Sequence, residues 1–511
     1  MTAPNSNPTT ASRHHALLGL TWPDLAVFAA YIAVLCLAIP HYLPWEDEGR
    51  AWTAARFFGL YDLVFHVLRY EGHPPVWYLV LFPLAKLHFP YAYINWLSAG
   101  CGIAGIYVLL RYSPFPFFIR ALLPFGFALA YEYAVVARSY CLFPLFGFLI
   151  AKEYRSATRR PVRMAILLAL LANLSVHGTL VACAFGASYF WDLNRERRAT
   201  SELNWSLPQA RLGAGIFAAS LALVLIVLWP AHDLKAPVSP EINRAIQKAA
   251  PAAYHPASNQ AFFLRTLQTP EQVKVPTPLA LNLGMGSLKI RGRLSTVFVY
   301  PIATFAPLAI LLQALVFVLA WRRGKPLLIA APLLLGAFIV EIYLRLWHTS
   351  LMWVALIMIL WVVWDERESL RQPSLQAFTA AVFALVCLLQ LPWTAAALRF
   401  ERSHATYPAQ ATADYLKSLP GHPRIDGFDH AFTLLPYFRF YPFHLQNEVL
   451  DVETVVSDQP DVIVYRDTTV TPEQFSQLRQ AGYVQTRVFC GTPFFPNQPL
   501  TALCMNVLER P

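Results

Sequence analysis

The residues best suited to chemistry are three consecutive acids, Glu46, Asp47 and Glu48, which follow the first long apolar run of the chain. Glu71 and His73 close the same stretch, immediately before a double proline. Carboxylates and imidazoles are common general acids and bases in enzymes. Acids at a membrane surface are costly to leave unpaired, which marks these residues as candidates for function. Two other interpretations are open: the acids belong to a solvated loop, or they are N-terminal charges of a helix that begins near Gly49 and whose dipole favours them.

Membrane spans must position these residues. Of the 511 residues, 56% are hydrophobic and 14% are charged, whereas a soluble domain carries about 25% charged residues. The composition therefore predicts a polytopic α-helical membrane protein. The net charge of +10 lies largely in short loops between apolar runs, so it gives no case for nucleic-acid binding. The first run has no small-residue cleavage site after it, and we expect it to be a retained span rather than a signal peptide.

We predict about eleven spans after a disordered cytoplasmic N-terminus at residues 1–21. Their approximate ranges are 22–40, 92–110, 118–136, 138–151, 163–176, 178–191, 212–229, 297–321, 326–345, 348–364 and 375–397. Positive charge near span ends marks the cytoplasmic side. The chain has four short connections with an excess of basic residues. All four lie on the cytoplasmic side only if the run 73–90 lies along the outer surface and 163–191 is a hairpin that turns near His177. The N-terminus is then inside and the C-terminus outside.

This topology divides the chain into a membrane domain and an outer domain. The transmembrane domain covers residues 22–397, with outer loops at 41–91 and 231–296, and residues 398–511 form a small extracytoplasmic α/β domain. In that domain we expect a helix near 410–418 and strands near 461–465, 483–489 and 502–508. Cys490 and Cys504 would lie near the ends of neighbouring strands. In an oxidising compartment they either form a disulfide or remain two thiols.

The order and sidedness of these features resemble the GT-C glycosyltransferases, which include protein O-mannosyltransferases and bacterial enzymes that add sugars to lipid A. Asp47 and Glu48 stand where the family has its acidic pair, a few residues past the first span. The run from Glu71 to Pro75, EGHPP, resembles the family's turn before a surface helix.

Two later positions carry the same resemblance. Arg138 and Tyr140 resemble an arginine-x-tyrosine at the outer end of a span, and His177 resembles a histidine at an outer helix turn. The likeness covers about residues 22–195. The late arginine–tyrosine–proline pattern of such proteins is absent, and Arg345 and His348 stand nearby instead.

The resemblance implies an enzyme of the cytoplasmic membrane that moves a sugar from a polyprenyl-phosphate donor to an envelope lipid, glycan or protein at the outer face, with inversion. Asp47 would be the general base, and Glu48 would orient the acceptor or a basic partner. The leaving phosphate requires fixed cations or hydrogen-bond donors. The candidates for substrate or donor-phosphate binding are Glu71, His73, Arg138, Tyr140, His177, Arg291, Arg293, Arg345 and His348.

Other assignments remain open. Three acids and a histidine could hold a hard cation, but no ligand spacing defines a metal site, and no other cofactor is indicated. A transporter or flippase of a lipid-linked or anionic substrate would use buried acids such as Glu132 and Glu341. A polymerase or ligase of envelope glycans and a non-catalytic scaffold are further alternatives. The absence of a visible repeat and the concentration of polar residues at the outer rim favour the transferase.

Overall fold

The protein consists of apolar helices followed by a small domain with a five-stranded sheet, which is the predicted class. The structure is a computed structural model that describes residues 17–199, 203–229, 293–342, 346–368, 370, 372–428, 430–440, 442–447, 452–466, 470–494 and 502–511. Within these ranges, five helices are long and apolar enough to cross a membrane: Trp22–His41, Tyr91–Tyr112, Leu207–Leu228, Leu346–Val363 and Leu375–Ser403.

The helices of the membrane domain form two runs along the chain. The first run is α1 Trp22–Ala38, α2 Glu46–Phe57, α3 Val76–Lys86, α4 Ile94–Tyr112, α5 Phe117–Leu122, α6 Phe143–Tyr154, α7 Pro161–Ala172, α8 Val176–Ala199 and α9 Leu207–Leu228. The second run is α10 Arg293–Phe298, α11 Ala306–Arg322, α12 Ala330–Glu341, α13 Leu346–Val363 and α14 Leu375–Ser403. The predicted turn within 163–191 is present, because α7 and α8 are separate helices with a turn at residues 173–175, just before His177.

Two of the predicted spans are not continuous helices. In 297–321, the non-helical residues 299–305 separate α10 from α11. In 118–136, the break follows α5. After α5 the chain makes a 3₁₀ turn at Leu123–Phe125 and a π-helical turn at Ala128–Glu132. Pro124 and Gly126 lie at this break, and both residue types disfavour a regular helix. The chain then leaves the helical conformation and reaches Arg138 in extended backbone. Non-helical backbone at membrane depth is tolerated where it is buried in protein or lines a cavity.

The run 73–90 contains a single helix, α3, of 11 residues. A helix needs about 20 residues to cross the hydrocarbon core, so α3 cannot cross it alone. The chain reaches α3 through the irregular helical turns Leu60–Asp62, Leu63–Val67 and Leu68–Glu71. Gly72 ends them in the left-handed conformation, at φ +67°.

The C-terminal domain is an α/β unit around a mixed sheet. Its elements are α15 Ala409–Ser418, β1 Ile425–Phe428, β2 Phe443–Asn447, α16 Val452–Asp458, β3 Val462–Arg466, α17 Pro472–Gln480, β4 Val484–Gly491 and β5 Leu503–Glu509. The strand order is β2-β1-β3-β5-β4. β1 is parallel to β2 and β3, and β5 is antiparallel to β3 and β4.

Both faces of this sheet are covered by packed side chains. Alternate residues of a strand point to opposite sides of the sheet, and those of β3 enter two different apolar clusters. Val462 and Val464 of β3 pack in one cluster with Leu416 of α15. Ile463 packs on the other side with Leu478 of α17. Cys490 and Cys504 are paired positions of β4 and β5 and form a disulfide, with their Cα atoms 4.0 Å apart.

The predicted sidedness can be tested with two exposed positions, Thr158 in the basic α6–α7 connection and Ser418 at the end of α15. Because positive charge marks the inner side, an impermeant maleimide added to intact cells should label Ser418→Cys but not Thr158→Cys. Lysed cells should show labelling of both, and the wild-type chain controls for native cysteines. Labelling of both variants in intact cells would contradict the topology.

Candidate functional site

The three acids open α2, where a helix N-terminus favours negative charge. Successive residues of a helix point about 100° apart, so Glu46, Asp47 and Glu48 reach three different parts of the protein. Glu46 contacts the C-terminal domain, Asp47 contacts Arg138, and Glu48 points into the helical bundle. The acids therefore do not converge on one cation.

Glu48 is completely buried, and four donors surround its carboxylate. Oε2 accepts hydrogen bonds from the Trp45 backbone N–H at 2.9 Å and the Tyr42 hydroxyl at 2.8 Å. Oε1 accepts from Asn95 Nδ2 at 2.8 Å and the Ala137 backbone N–H at 2.6 Å. Burial raises the pKa of Glu48 to about 7, and the hydrogen bonds oppose this rise. None of these four partners is a basic side chain, which differs from the orienting role predicted from the sequence.

The chain before Arg138 is held by polar residues of α4. Asn95 Nδ2 also donates to the carbonyl of Val135 at 2.8 Å, and the Ser98 hydroxyl donates to the carbonyl of Val136 at 3.0 Å. Together with the bond from Ala137 to Glu48, these contacts fix the irregular segment residue by residue. Arg138 is thereby presented to the start of α2.

Asp47 and Arg138 form an ion pair through Oδ2 and Nη1. The side chain of Asp47 is 17% exposed and that of Arg138 is 11% exposed, so the pair is half-buried but reachable. The Arg138 guanidinium also lies 5.8 Å from the centre of the Tyr140 ring. The structure thus brings together Asp47, Arg138 and Tyr140, three of the residues chosen from the sequence.

Glu46 connects α2 to the C-terminal domain. Its Oε1 lies 2.7 Å from His430 Nδ1, and its Oε2 lies 3.7 Å from Arg466 Nη1. Burial alone would raise the pKa of Glu46, but the charges of His430, Arg466 and Arg50 lower it below its usual value. The ionised carboxylate is therefore the favoured form at this contact.

Glu71 and His73 lie on another side of α2. Arg50 Nη2 is 3.3 Å from Glu71 Oε1, and its guanidinium lies 5.5 Å from the Phe432 ring centre. Burial lowers the pKa of His73, with Glu71 opposing and Arg50 reinforcing this change. His73 is thus a neutral imidazole, and Glu71 is a partner of Arg50.

An aromatic cleft opens beside the Asp47–Arg138 pair, with about 640 Å³ of space that includes open solvent. Its lining comprises Tyr42, Leu43, Trp45, Phe127, Tyr131, Glu132, Tyr133, Val136, Arg138, Tyr140, Trp347, Thr406, Pro493 and Phe494. Most of these residues belong to the membrane domain. Thr406 comes from the start of the C-terminal domain, and Pro493 and Phe494 come from its last part. Aromatic walls with a few charged groups are typical of ligand sites.

Two histidines lie behind Tyr140. The rings of His177 and His348 are 4.4 Å apart, and the Tyr140 ring lies 5.9 Å from the first and 5.2 Å from the second. Both histidines are buried. Among the described residues, neither ring nitrogen of His177 has a hydrogen-bond partner. An imidazole in this state can still donate to an incoming acceptor.

The remaining sequence candidates cannot be placed at the cleft. Arg291 and Arg345 lie outside the described residues. Arg293 begins α10, and its side chain is not described.

Sequence reasoning missed several residues that build the site. Asn95 is the clearest, because an amide inside an apolar run is an unusual residue that calls for a partner. His430, Arg466 and Trp347 carry no such signal, since tertiary contacts alone bring them to α2.

Glu48 should give stability a distinctive pH dependence. Its pKa of about 7 in the folded protein exceeds the unfolded value of about 4.3, so the folded state binds the proton more tightly. This contribution is complete below the unfolded pKa and is lost as the pH rises to about 7. The free energy of unfolding of the wild type should therefore fall relative to Glu48→Gln between about pH 5 and about pH 8, by a few kcal/mol at most.

Thermal unfolding in detergent across this pH range measures the effect. Glu366→Gln is the control, because the Glu366 side chain is 64% exposed. The stability of this variant should change with pH in the same way as that of the wild type. Parallel curves for the wild type and Glu48→Gln would contradict the raised pKa.

No protein-family model matches the chain, and no curated protein matches it. Among solved structures, the chain is similar to the apo crystal structure of ArnT from Cupriavidus metallidurans, with 14% identity and a TM-score of 0.43 over 94% of this chain and 97% of that one. Because the TM-score is below 0.5, activity is inferred from the geometry of the site and not from this likeness.

Proposed function

We propose that the protein is a GT-C-type membrane glycosyltransferase that moves a sugar from a polyprenyl-phosphate donor to an envelope acceptor at the outer face of the cytoplasmic membrane. The observation that supports this proposal best is the Asp47–Arg138 ion pair at the aromatic cleft. In this pair, the Asp47 carboxylate can take the proton of the acceptor hydroxyl, and the Arg138 guanidinium can bind the phosphate of the donor.

The proposed reaction needs a base at the rim of the cleft. The acceptor hydroxyl gives its proton to Asp47 while its oxygen attacks the anomeric carbon of the sugar. The bond from that carbon to the phosphate oxygen breaks, and the electron pair leaves with the phosphate. Attack opposite the leaving group inverts the sugar carbon. Glu48 is a positioning residue here, because its bonds to Trp45 and Ala137 fix both ends of the Asp47–Arg138 pair.

The leaving phosphate needs fixed positive charge and donors. Arg138 is the cation among the described residues that line the cleft, and a guanidinium binds phosphate with two parallel hydrogen bonds. His177, buried behind Tyr140 with both ring nitrogens unpartnered among the described residues, is a further donor. The apolar part of the lining, which includes Phe127, Trp347 and Phe494, suits the start of a polyprenyl chain.

One observation favours a second function, transport of an anionic or lipid-linked substrate. Glu132 lines the cleft, and its Oε2 is buried with no hydrogen-bond partner among the described residues. Buried acids of this kind serve as proton relays in transporters. Glu132→Gln distinguishes the two functions, since it should abolish proton-coupled transport but leave Asp47 able to act as a base.

The transferase proposal predicts that Asp47→Asn abolishes sugar transfer in a folded protein. A general base contributes about 10²–10⁴-fold to the rate, so turnover should fall by about 10²-fold or more. The measurement is consumption of a panel of polyprenyl-phosphate sugars by purified protein with an envelope lipid extract, together with detection of the glycosylated product.

Asp62→Asn is the matched control. Asp62 lies in the same outer stretch, but its side chain is 42% exposed and pairs with His66, so turnover should be unchanged. Equal turnover by Asp47→Asn and the wild type would remove Asp47 as the base. Retained product formation by Glu132→Gln would argue against the transporter.

A further inference from the structure

A second polar cluster lies in the C-terminal domain, away from the groups assigned to transfer. It joins Asp426 on β1, His444 on β2 and Asp458 at the end of α16. One potential ligand atom from each residue lies within 4.8 Å of the other two. Three separate elements therefore converge on one point.

The pairing of β1 with β2 is irregular at this cluster. Ile425 pairs with Phe443, but Asp426 pairs with Leu445, so His444 is an extra residue in β2. Such a bulge redirects a side chain out of the normal alternation, and bulges are frequent next to functional sites. The Leu445 backbone N–H donates to Asp426 Oδ1 at 3.0 Å, which fixes the carboxylate beside the bulge.

Asp426 has unused capacity to bind a cation. The residue is completely buried, and its Oδ2 has no hydrogen-bond partner among the described residues. Its Oδ1 lies 3.7 Å from His444 Nδ1, so the carboxylate faces the cluster. A buried carboxylate oxygen without a donor is costly, and a cation bound to the Asp426 carboxylate would offset that cost.

His444 Nδ1 contacts two neighbours that require it to be in opposite states, one protonated and one unprotonated. Asp458 Oδ2 lies 3.0 Å away and can only accept, whereas Arg424 Nη2 lies 2.9 Å away and can only donate. One ring nitrogen carries either a proton or a lone pair, so no tautomer satisfies both contacts. A cation bound between Nδ1 and the carboxylates would remove this conflict.

We infer that Asp426, His444 and Asp458 bind one divalent transition-metal ion, of which Zn²⁺ is the best match. Ligands about 2.0–2.2 Å from a tetrahedral zinc lie about 3.3–3.6 Å from one another. The distances of 3.0 and 3.7 Å from Nδ1 to the two carboxylates bracket this range. An imidazole among the ligands favours a transition metal over Mg²⁺ or Ca²⁺.

Arg424 supplies the counter-charge when no metal is bound. Its guanidinium contacts Asp458, and its backbone N–H donates to Asp461 at 2.8 Å. The Arg424 side chain is 38% exposed, so it can turn towards solvent when a metal takes its place. The ion would join the edge strand β2 and helix α16 to β1. This site does not depend on the transferase proposal.

The test uses the full-length protein in detergent, purified without a histidine tag, treated with chelator and dialysed. Calorimetric titration with Zn²⁺ should show one equivalent bound per chain, and Co²⁺ should give the visible absorption of a tetrahedral site. Asp426→Asn and His444→Ala should each weaken Zn²⁺ binding by at least about 100-fold. Asp414→Asn, which changes an exposed acid of the same domain, should bind as the wild type does.

Two results would overturn the inference. One is the absence of bound Zn²⁺ in the wild type. The other is equal binding by the wild type and His444→Ala, a variant of a half-exposed side chain that does not depend on the buried Asp426 for folding. Arg424→Gln gives an independent check: tighter Zn²⁺ binding supports displacement of the guanidinium by the metal, and weaker binding contradicts it.

Discussion

A buried carboxylate must find donors for its oxygens, and Glu48 finds them in three distant parts of the chain. Its bonds connect the loop after α1, the apolar helix α4 and the irregular segment that precedes Arg138. Each bond to an ionised group contributes about 1.5–3 kcal/mol, which offsets part of the cost of burial; the pKa of Glu48 still rises to about 7. Once Glu48 points inward, helical geometry directs Asp47 to Arg138 and Glu46 to the C-terminal domain.

The C-terminal domain is attached to the site through the same helix. Glu46 meets Arg466, the last residue of β3, and His430, which follows β1. The helix therefore lies at the carboxyl ends of two parallel strands, where α/β sheets commonly bind their ligands. Packing is close, because a Cβ on Gly49 would lie 3.2 Å from Pro436. The proposed metal cluster includes Asp458, which precedes β3, so it lies towards the other end of these strands.

The parts of the structure with a strong local signal could be predicted from the sequence. Apolar length indicated most helices, and the strands β3, β4 and β5 follow from their alternating or clustered apolar residues. β1 and β2 were missed because IDGF and FHLQN are short and carry polar residues inside the strand. The break of the span 118–136 at Pro124 and Gly126 was missed because overall hydrophobicity masks it. The sequence placed Asp47 and Arg138 on the same outer side of the membrane, but their ion pair and the donors to Glu48 depend on tertiary packing.

The three acids differ in exposure and in partners, and this difference is the reason for proposing Asp47 as the base. A base must release its proton to solvent after each turnover, so its side chain needs some exposure. Its ion-pair partner must also be able to move to another group. Glu48 has 0% exposure and four fixed donors, and Glu46 is held between His430 and Arg466. Asp47 is 17% exposed, and its partner Arg138 also lines the cleft. A donor phosphate that attracts Arg138 would release the Asp47 carboxylate for the acceptor, so donor binding itself would activate the base.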